Sequence, residues 1–211
     1  MGVYGPARAA VTPLSLEIPW PGKALQASCP RLPVVWVLYL QAYSVMLKLG
    51  LPPLVWPDSR VLILGTLPSD ESLRVKQYYA NPSNLFWKIV AAVFRISMPE
   101  DYAVRIEYLR ARSVGLWDVL RAAERKGSQD GEIKNPQPND FGPVLATCPN
   151  LRAVALNGSL ARDLFKKAVD AKIPLTIHRI WLPSTSGIPG RDVLSFQGKV
   201  EQWKAIAGPW A

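Results

Sequence analysis

The chain has 211 residues, 49% of them hydrophobic, and a formal net charge of +9. That length suits one domain, or one domain plus an appendage, and the basic balance favours a polyanionic partner, most simply a nucleic acid. Two cysteines, Cys29 and Cys148, and one histidine, His178, give little support to a zinc or iron–sulfur site or to a disulfide scaffold, and they fit a reducing, intracellular compartment.

Residues 1–49 read as an appendage. "GPARAAVTPLSLEIPWPGKALQASCPRLP" has many prolines, few charges and no sustained periodicity. The apolar run inside "VVWVLYLQAYSVMLKLG" is shorter than the roughly 20 residues that span a bilayer. It also lies far from the N-terminus for a signal segment. The expectation is disorder followed by one helix. An alternative is that Met46 is the true start and the first 45 residues come from an over-long gene assignment.

Residues 50–211 alternate in character. "RVLILG" is a continuous apolar run closed by glycine, the pattern of a buried parallel strand. "GTLPSDES" follows as a polar loop. "NLFWKIVAAVF" is amphipathic and helical, and "PEDYAVRIEYLRAR" opens with proline and acids, as helix N-termini do. "SVGLWDVLRAAERKG" reads as a short strand or turn and then a helix ending at Gly127. "GSQDGEIKNPQPND" is a polar loop, and "NDFGPVLATCP" starts a helix. "LRAVALNG" is a second buried strand, "SLARDLFKKAVDA" a helix with Ser159 as a possible cap, "LTIHRIWLPSTS" a third strand running into a loop, and "VLSFQGKVEQWKAIAG" a closing helix. Strands alternating with helices predict a three-layer α/β/α sandwich around a mostly parallel sheet. In such a fold, ligands bind at the carboxyl ends of the strands. The exits "GTLPSDES", "NGS" and "LPSTSG" should therefore converge on one cleft.

Within those exits, "QYYANPSNLFW" concentrates aromatics and asparagines. An aromatic beside a strand exit can stack a planar ring, and an asparagine amide offers a donor and an acceptor to a base edge. Tyr79 and Asn84 are the functional candidates. Tyr78, Phe86 and Trp87 read as core, with Asn81 able to close a turn before Pro82. The Ser/Thr loop "LPSTSG" suits phosphate oxygens or is a plain turn. "GTLP" is neither a Walker loop nor GxGxxG. Asp130 and Glu132 form a possible acid/base pair in what reads as a solvated loop. His178 reads as structural, although any serine or cysteine triad would have to rest on it.

"LILGTLPSDESLRVKQYYANPSNLFW", "GLWDVL" with "GSQDGEIKNPQPNDF", "LNGSLARDLF" and "LPSTS" resemble, in order and spacing, the uracil-DNA glycosylase superfamily. The likeness is nearest to its hypoxanthine-DNA (deoxyinosine) glycosylase branch. It covers roughly residues 50–207. It implies a four-stranded, mostly parallel sheet and a cleft for one flipped nucleotide. In that branch the key residue is the asparagine of an "HPxNxFW" segment, which matches Asn84. Tyr79 matches the aromatic that stacks on the base. The implied base pocket comprises Gly65, Thr66, Leu67, Tyr79, Asn81 and Asn157. The implied DNA-binding loop is Pro183, Ser184, Thr185 and Ser186. "GTLP" lacks the Asp or Asn with which many members direct water, and Asn81 stands where the family usually has histidine.

The resemblance implies an intracellular, monomeric repair enzyme, in the cytoplasm or nucleoid if the source is bacterial, that acts on DNA containing a damaged base. Hypoxanthine is the first expectation and uracil the second. No metal or other cofactor is expected, nor a membrane partner. No lysine is evidently placed for Schiff-base chemistry, so an abasic site is the expected product. Two other classes remain open: a non-catalytic damaged-DNA or single-strand binding module, and a nucleoside or nucleotide hydrolase with weak, salt-insensitive DNA binding.

Overall fold

The structure is a computed structural model that describes residues 47–187 and 193–210. The expected helix before Met46 and the alternative start at Met46 lie outside these residues.

β2 (Val61–Gly65) is buried at every position. An apolar run without alternation cannot leave one face in water, so it needs cover on both faces. It pairs in parallel with β3 (Val114–Asp118) on one side and β6 (Ala153–Asn157) on the other. β6 pairs in parallel with β7 (His178–Leu182). The sheet order is β3-β2-β6-β7 and the sheet is wholly parallel. The step from β2 to β3 crosses the sheet one way and the step from β6 to β7 the other. Right-handed crossovers then place their helices on opposite faces. The strand order reverses between β2 and β6, which sets the cleft at their carboxyl ends.

The β2–β3 crossover holds α1 (Asp70–Val75), α2 (Phe86–Phe94) and α3 (Tyr102–Arg110). α1 starts where Ser69 accepts the Ser72 N–H, and α3 where Asp101 accepts the Val104 N–H. α2 buries Phe86, Trp87, Ile89 and Val90. It packs on α6 (Phe196–Trp203), with the Phe86 and Trp203 rings edge to face at 5.8 Å. Both rings are fully buried, each contributing about 2–3 kcal/mol by removal from water. α4 (Gly142–Thr147) precedes β6, and α5 (Ser159–Ala168) leads towards β7.

Five features differ from the sequence reading. The segment expected as a helix in the second half of "SVGLWDVLRAAERKG" contains β4 (Leu120–Glu124), paired antiparallel with β1 (Leu47–Leu49) and β5 (Lys134–Pro138). Its alanines and glutamate favour a helix, but backbone partners on both edges override that weak preference. β5 lies within the expected polar loop, and its prolines are tolerated because it is an edge strand. α1 also falls in an expected loop. β1 draws Leu47–Leu49 into this second sheet, so the boundary expected at residues 49–50 falls just after a paired strand. At α5 the cap is Gly158, at φ 98°, and Ser159 is the first helical residue.

Candidate active site

A cavity of about 590 Å³ opens at the carboxyl ends of the parallel strands. That volume fits a nucleobase with its sugar, within the range of small-ligand clefts. Of the residues singled out from the sequence, Gly65, Thr66, Leu67, Tyr79, Asn81, Asn84, Asn157, Ser184, Thr185 and Ser186 all line it. Pro183 does not; its carbonyl accepts the Trp203 indole N–H at 2.9 Å, which anchors the loop on α6.

Tyr79 sits at φ 55°, in the left-handed region, a strained conformation for a residue with a side chain. That turn lays its ring on Phe86, with centroids 3.7 Å apart and planes within 11°. One ring face is covered in this way, and Tyr79 lines the cavity with the rest. Its hydroxyl accepts a hydrogen bond from Asn157 Nδ2 at 3.1 Å. Burial, and next the charge of Asp118, push the phenol pKa well above its ordinary value, so the hydroxyl stays neutral.

Asn157 closes β6 and ties this wall together. Nδ2 also donates to Thr185 Oγ1 at 2.9 Å, and Oδ1 accepts the Thr185 N–H at 2.9 Å. The backbone donor fixes which amide atom is oxygen. Thr185 is fully buried, and its carbonyl accepts the Leu85 N–H at 2.9 Å. Asn157 and Thr185 therefore brace the pocket, and Thr185 points inward from a loop expected to face DNA. Gly187 has a second bracing role. A Cβ there would fall 2.2 Å from the Ser83 carbonyl oxygen, so only glycine permits the two rim loops to touch.

The two asparagines of the rim differ. Asn81 Oδ1 accepts from both the backbone N–H and the hydroxyl of Ser83, closing the turn around Pro82. Asn84 Oδ1 accepts the Phe86 N–H at 2.9 Å, at the start of α2. Its oxygen is thus held by the helix, which leaves the amide nitrogen as the end available to a ligand.

Another part of the lining carries ionisable groups, and the sequence reading passed over its central residue. Asp118 ends β3 directly across from Gly65. It lines the cavity and is 4% exposed. A Cβ on Gly65 would lie 2.5 Å from Asp118 Oδ1 and 3.3 Å from the Tyr79 hydroxyl, so glycine lets both side chains approach the strand end. Asp118 Oδ2 is buried without a hydrogen-bond partner. Burial pushes this carboxyl up to about 8, against the opposing pull of Arg125 and with the help of Asp130. A lone acid within the apolar "GLWDVL" was the available signal.

Arg125, the residue after β4, has a side chain only 1% exposed. It donates to the Leu67 and Pro68 carbonyls and lies 3.9 Å from Asp130. Asp130 lines the cavity and accepts from the Thr66 hydroxyl at 3.3 Å. Glu132 is exposed and does not line it, so the structure separates the suggested acid/base pair. His178 begins β7, exposed, with its ring 5.2 Å from Trp210. In a parallel sheet that is the end away from the cavity, which removes it from any triad there.

Among the described residues, no group of three or more His, Cys, Asp or Glu side chains could hold a metal ion. Among them, too, no helix is long and apolar enough to cross a membrane.

Residues 52–203 match the family model of the uracil DNA glycosylase superfamily. A hypoxanthine DNA glycosylase of Methanosarcina acetivorans is 34% identical over 166 residues, covering 76% of this chain and 98% of that protein. A hypoxanthine DNA glycosylase of Methanosarcina barkeri is 39% identical over 114 residues, covering 54% of this chain and 72% of that protein. A solution NMR structure from Methanosarcina acetivorans, provisionally assigned as a uracil DNA glycosylase, superposes with a TM-score of 0.65 at 33% identity. It covers 77% of this chain and 99% of that one. With a cleft at the strand ends, a stacked tyrosine and a family match across most of its length, the chain belongs to the uracil DNA glycosylase superfamily.

Proposed function

We propose that the protein excises hypoxanthine from DNA, with uracil as a lesser substrate, by hydrolysing the N-glycosidic bond and leaving an abasic site. The observation that carries this reading is Tyr79, whose ring is backed by Phe86 at the edge of a cavity sized for one nucleotide. Similarity to two hypoxanthine DNA glycosylases supports the choice of base. A flipped base stacks on the tyrosine. Flipping costs a few kcal/mol and costs least at a damaged or mismatched pair. The net charge of +9 offsets that cost through phosphate contacts. As the bond breaks, the sugar gains oxocarbenium character and the base gains negative charge. Asn84, with its oxygen held by α2, presents an amide N–H to the departing base. The enzyme works as a monomer inside the cell and needs no metal.

The test uses end-labelled duplexes containing deoxyinosine, deoxyuridine or deoxyxanthosine. Each reaction is divided, and one half is treated with hot alkali to cut abasic sites. Strand breaks at deoxyinosine only after alkali are expected. Breaks at deoxyuridine alone would move the substrate to uracil, and breaks without alkali would indicate a lyase. Tight, salt-sensitive binding with no base release would replace the reading with a non-catalytic module, to which Asn81 in the usual histidine position lends some support.

A further inference from the structure

The asparagine and tyrosine wall accounts for stacking and for one donor. It leaves Asp118 without a role. This carboxyl is 4% exposed, lines the cavity, and keeps Oδ2 buried with no partner. Arg125 acts on it through charge, while its terminal nitrogens donate to the Leu67 and Pro68 carbonyls. The charged and titratable groups acting on Asp118 are Arg125 just after β4, Asp130 of the turn that follows, and Tyr78 and Tyr79 of the loop before α2. Of these only Arg125 is positive, and Asp130 shares it. A buried carboxylate so placed would also repel a base leaving with negative charge.

Resting on the glycosylase reading, we propose that Asp118 is a neutral, protonated acid at the base pocket and donates a hydrogen bond from its unpartnered oxygen to an acceptor on the extruded base. The occupant is a base with a ring nitrogen or carbonyl oxygen on the edge it presents, which includes both oxopurines and uracil. The hydrogen bond strengthens as negative charge accumulates on the base, so it acts mainly on the transition state. No bond at Asp118 breaks, and the glycosidic electron pair leaves with the base. Rotation about the last side-chain torsion of aspartate is soft and turns either oxygen towards the cavity. Burial favours the protonated form up to about pH 8, the arrangement by which an apolar site keeps a carboxylic acid as a donor at neutral pH.

Single-turnover release of hypoxanthine from a deoxyinosine duplex separates the possibilities. The full chain is compared with Asp118→Asn and Asp118→Ala from about pH 6 to about pH 9. Asp118→Asn keeps a neutral donor and should retain the rate within about tenfold, whereas Asp118→Ala should lose about a hundredfold. Wild type should slow as pH rises through about 8, and Asp118→Asn should lack that fall. A wild-type rate in Asp118→Ala overturns the proposal, as do equal losses in both variants or the same alkaline fall in Asp118→Asn. Should Asp118→Ala not fold, the amide variant carries the test together with infrared spectroscopy. A protonated-carboxyl stretch present at neutral pH and lost in Asp118→Asn is expected, and its absence from wild type overturns the proposal. No release by wild type from any duplex would defeat the glycosylase reading itself. Release by wild type with indifferent variants would defeat only the role of Asp118.

Discussion

The two walls of the cavity are built on opposite terms. On one, Tyr79, Asn157, Thr185 and Leu85 satisfy one another in a neutral network of short hydrogen bonds. On the other, Asp118, Arg125 and Asp130 bring ionisable groups to the strand ends, and Asp118 Oδ2 and Arg125 Nε are buried without partners. A satisfied network fixes geometry, whereas an unsatisfied one is destabilising until something completes it. The comparison assigns shape to the first wall and electrostatics to the second. Asn84 stands at their rim with one end in each account: its oxygen holds a helix and its nitrogen is free for the ligand.

The largest effect should come from Asn84→Ala. Loss of one positioned donor lowers the chemical step by about 10²–10³-fold, while DNA affinity in a binding titration stays near wild type. A variant that binds poorly but turns over normally once saturated would return Asn84 to the shaping wall.

Asp118→Asn should have the next largest effect, on stability. The folded carboxyl is raised to about 8 from 3.8. Between those values the folded chain holds a proton that the unfolded chain releases, so stability is greatest below the lower value and falls as pH rises through the upper one. Asparagine removes that slope. The advantage of the variant over wild type in denaturant melts should grow by about 1 kcal/mol per pH unit between about pH 5 and about pH 7, against a ceiling of about 1.4. A constant difference across that range would mean that Asp118 is ionised in the folded protein and that both walls are equally satisfied.

Asn157→Ala removes three hydrogen bonds from the shaping wall at once and leaves the buried Thr185 N–H without its partner. It should lower stability by about 2 kcal/mol. The single-turnover rate should fall with it, because Tyr79 loses its tether. Undiminished stability would show that the network is not what holds this wall.

Tyr79→Phe is the smallest change. It keeps the stacked ring and deletes one hydrogen bond, so about 1 kcal/mol of stability should go with base release nearly intact. Tyr79→Ala, by contrast, should weaken base capture by about 1–3 kcal/mol. Equal losses in the two variants would place the function in the hydroxyl rather than the ring.

The sequence disclosed the shaping wall far better than the charged one. β2 and β6 are legible because a strand buried on both faces must be a continuous apolar run, and α2 because its apolar positions recur at helical spacing. The loops after those strands then had to meet, and the family resemblance placed Gly65, Tyr79, Asn84 and Asn157 in the cleft they form. β4 was hidden because "LRAAE" carries helix formers, and only its pairing with β1, far away in the chain, and with β5 makes it a strand. β5 was hidden because "KNPQP" is exposed and proline-rich. With the second sheet unseen, Arg125 had no location and Asp130 belonged to a loop. Asp118 was obscured for a related reason: one acid in an apolar strand has no meaning until burial and missing partners are measured.

The contact between Gly187 and the carbonyl of Ser83 has a consequence for biosynthesis. The cavity draws on residues from Gly65 to Gly187, and its rim closes only when these distant parts of the chain meet. A nascent chain on the ribosome passes through most of its length with Tyr79 and Asn84 already made but with no enclosed pocket around them. The enclosed pocket thus arises late and all at once, only when the chain through Gly187 has been made.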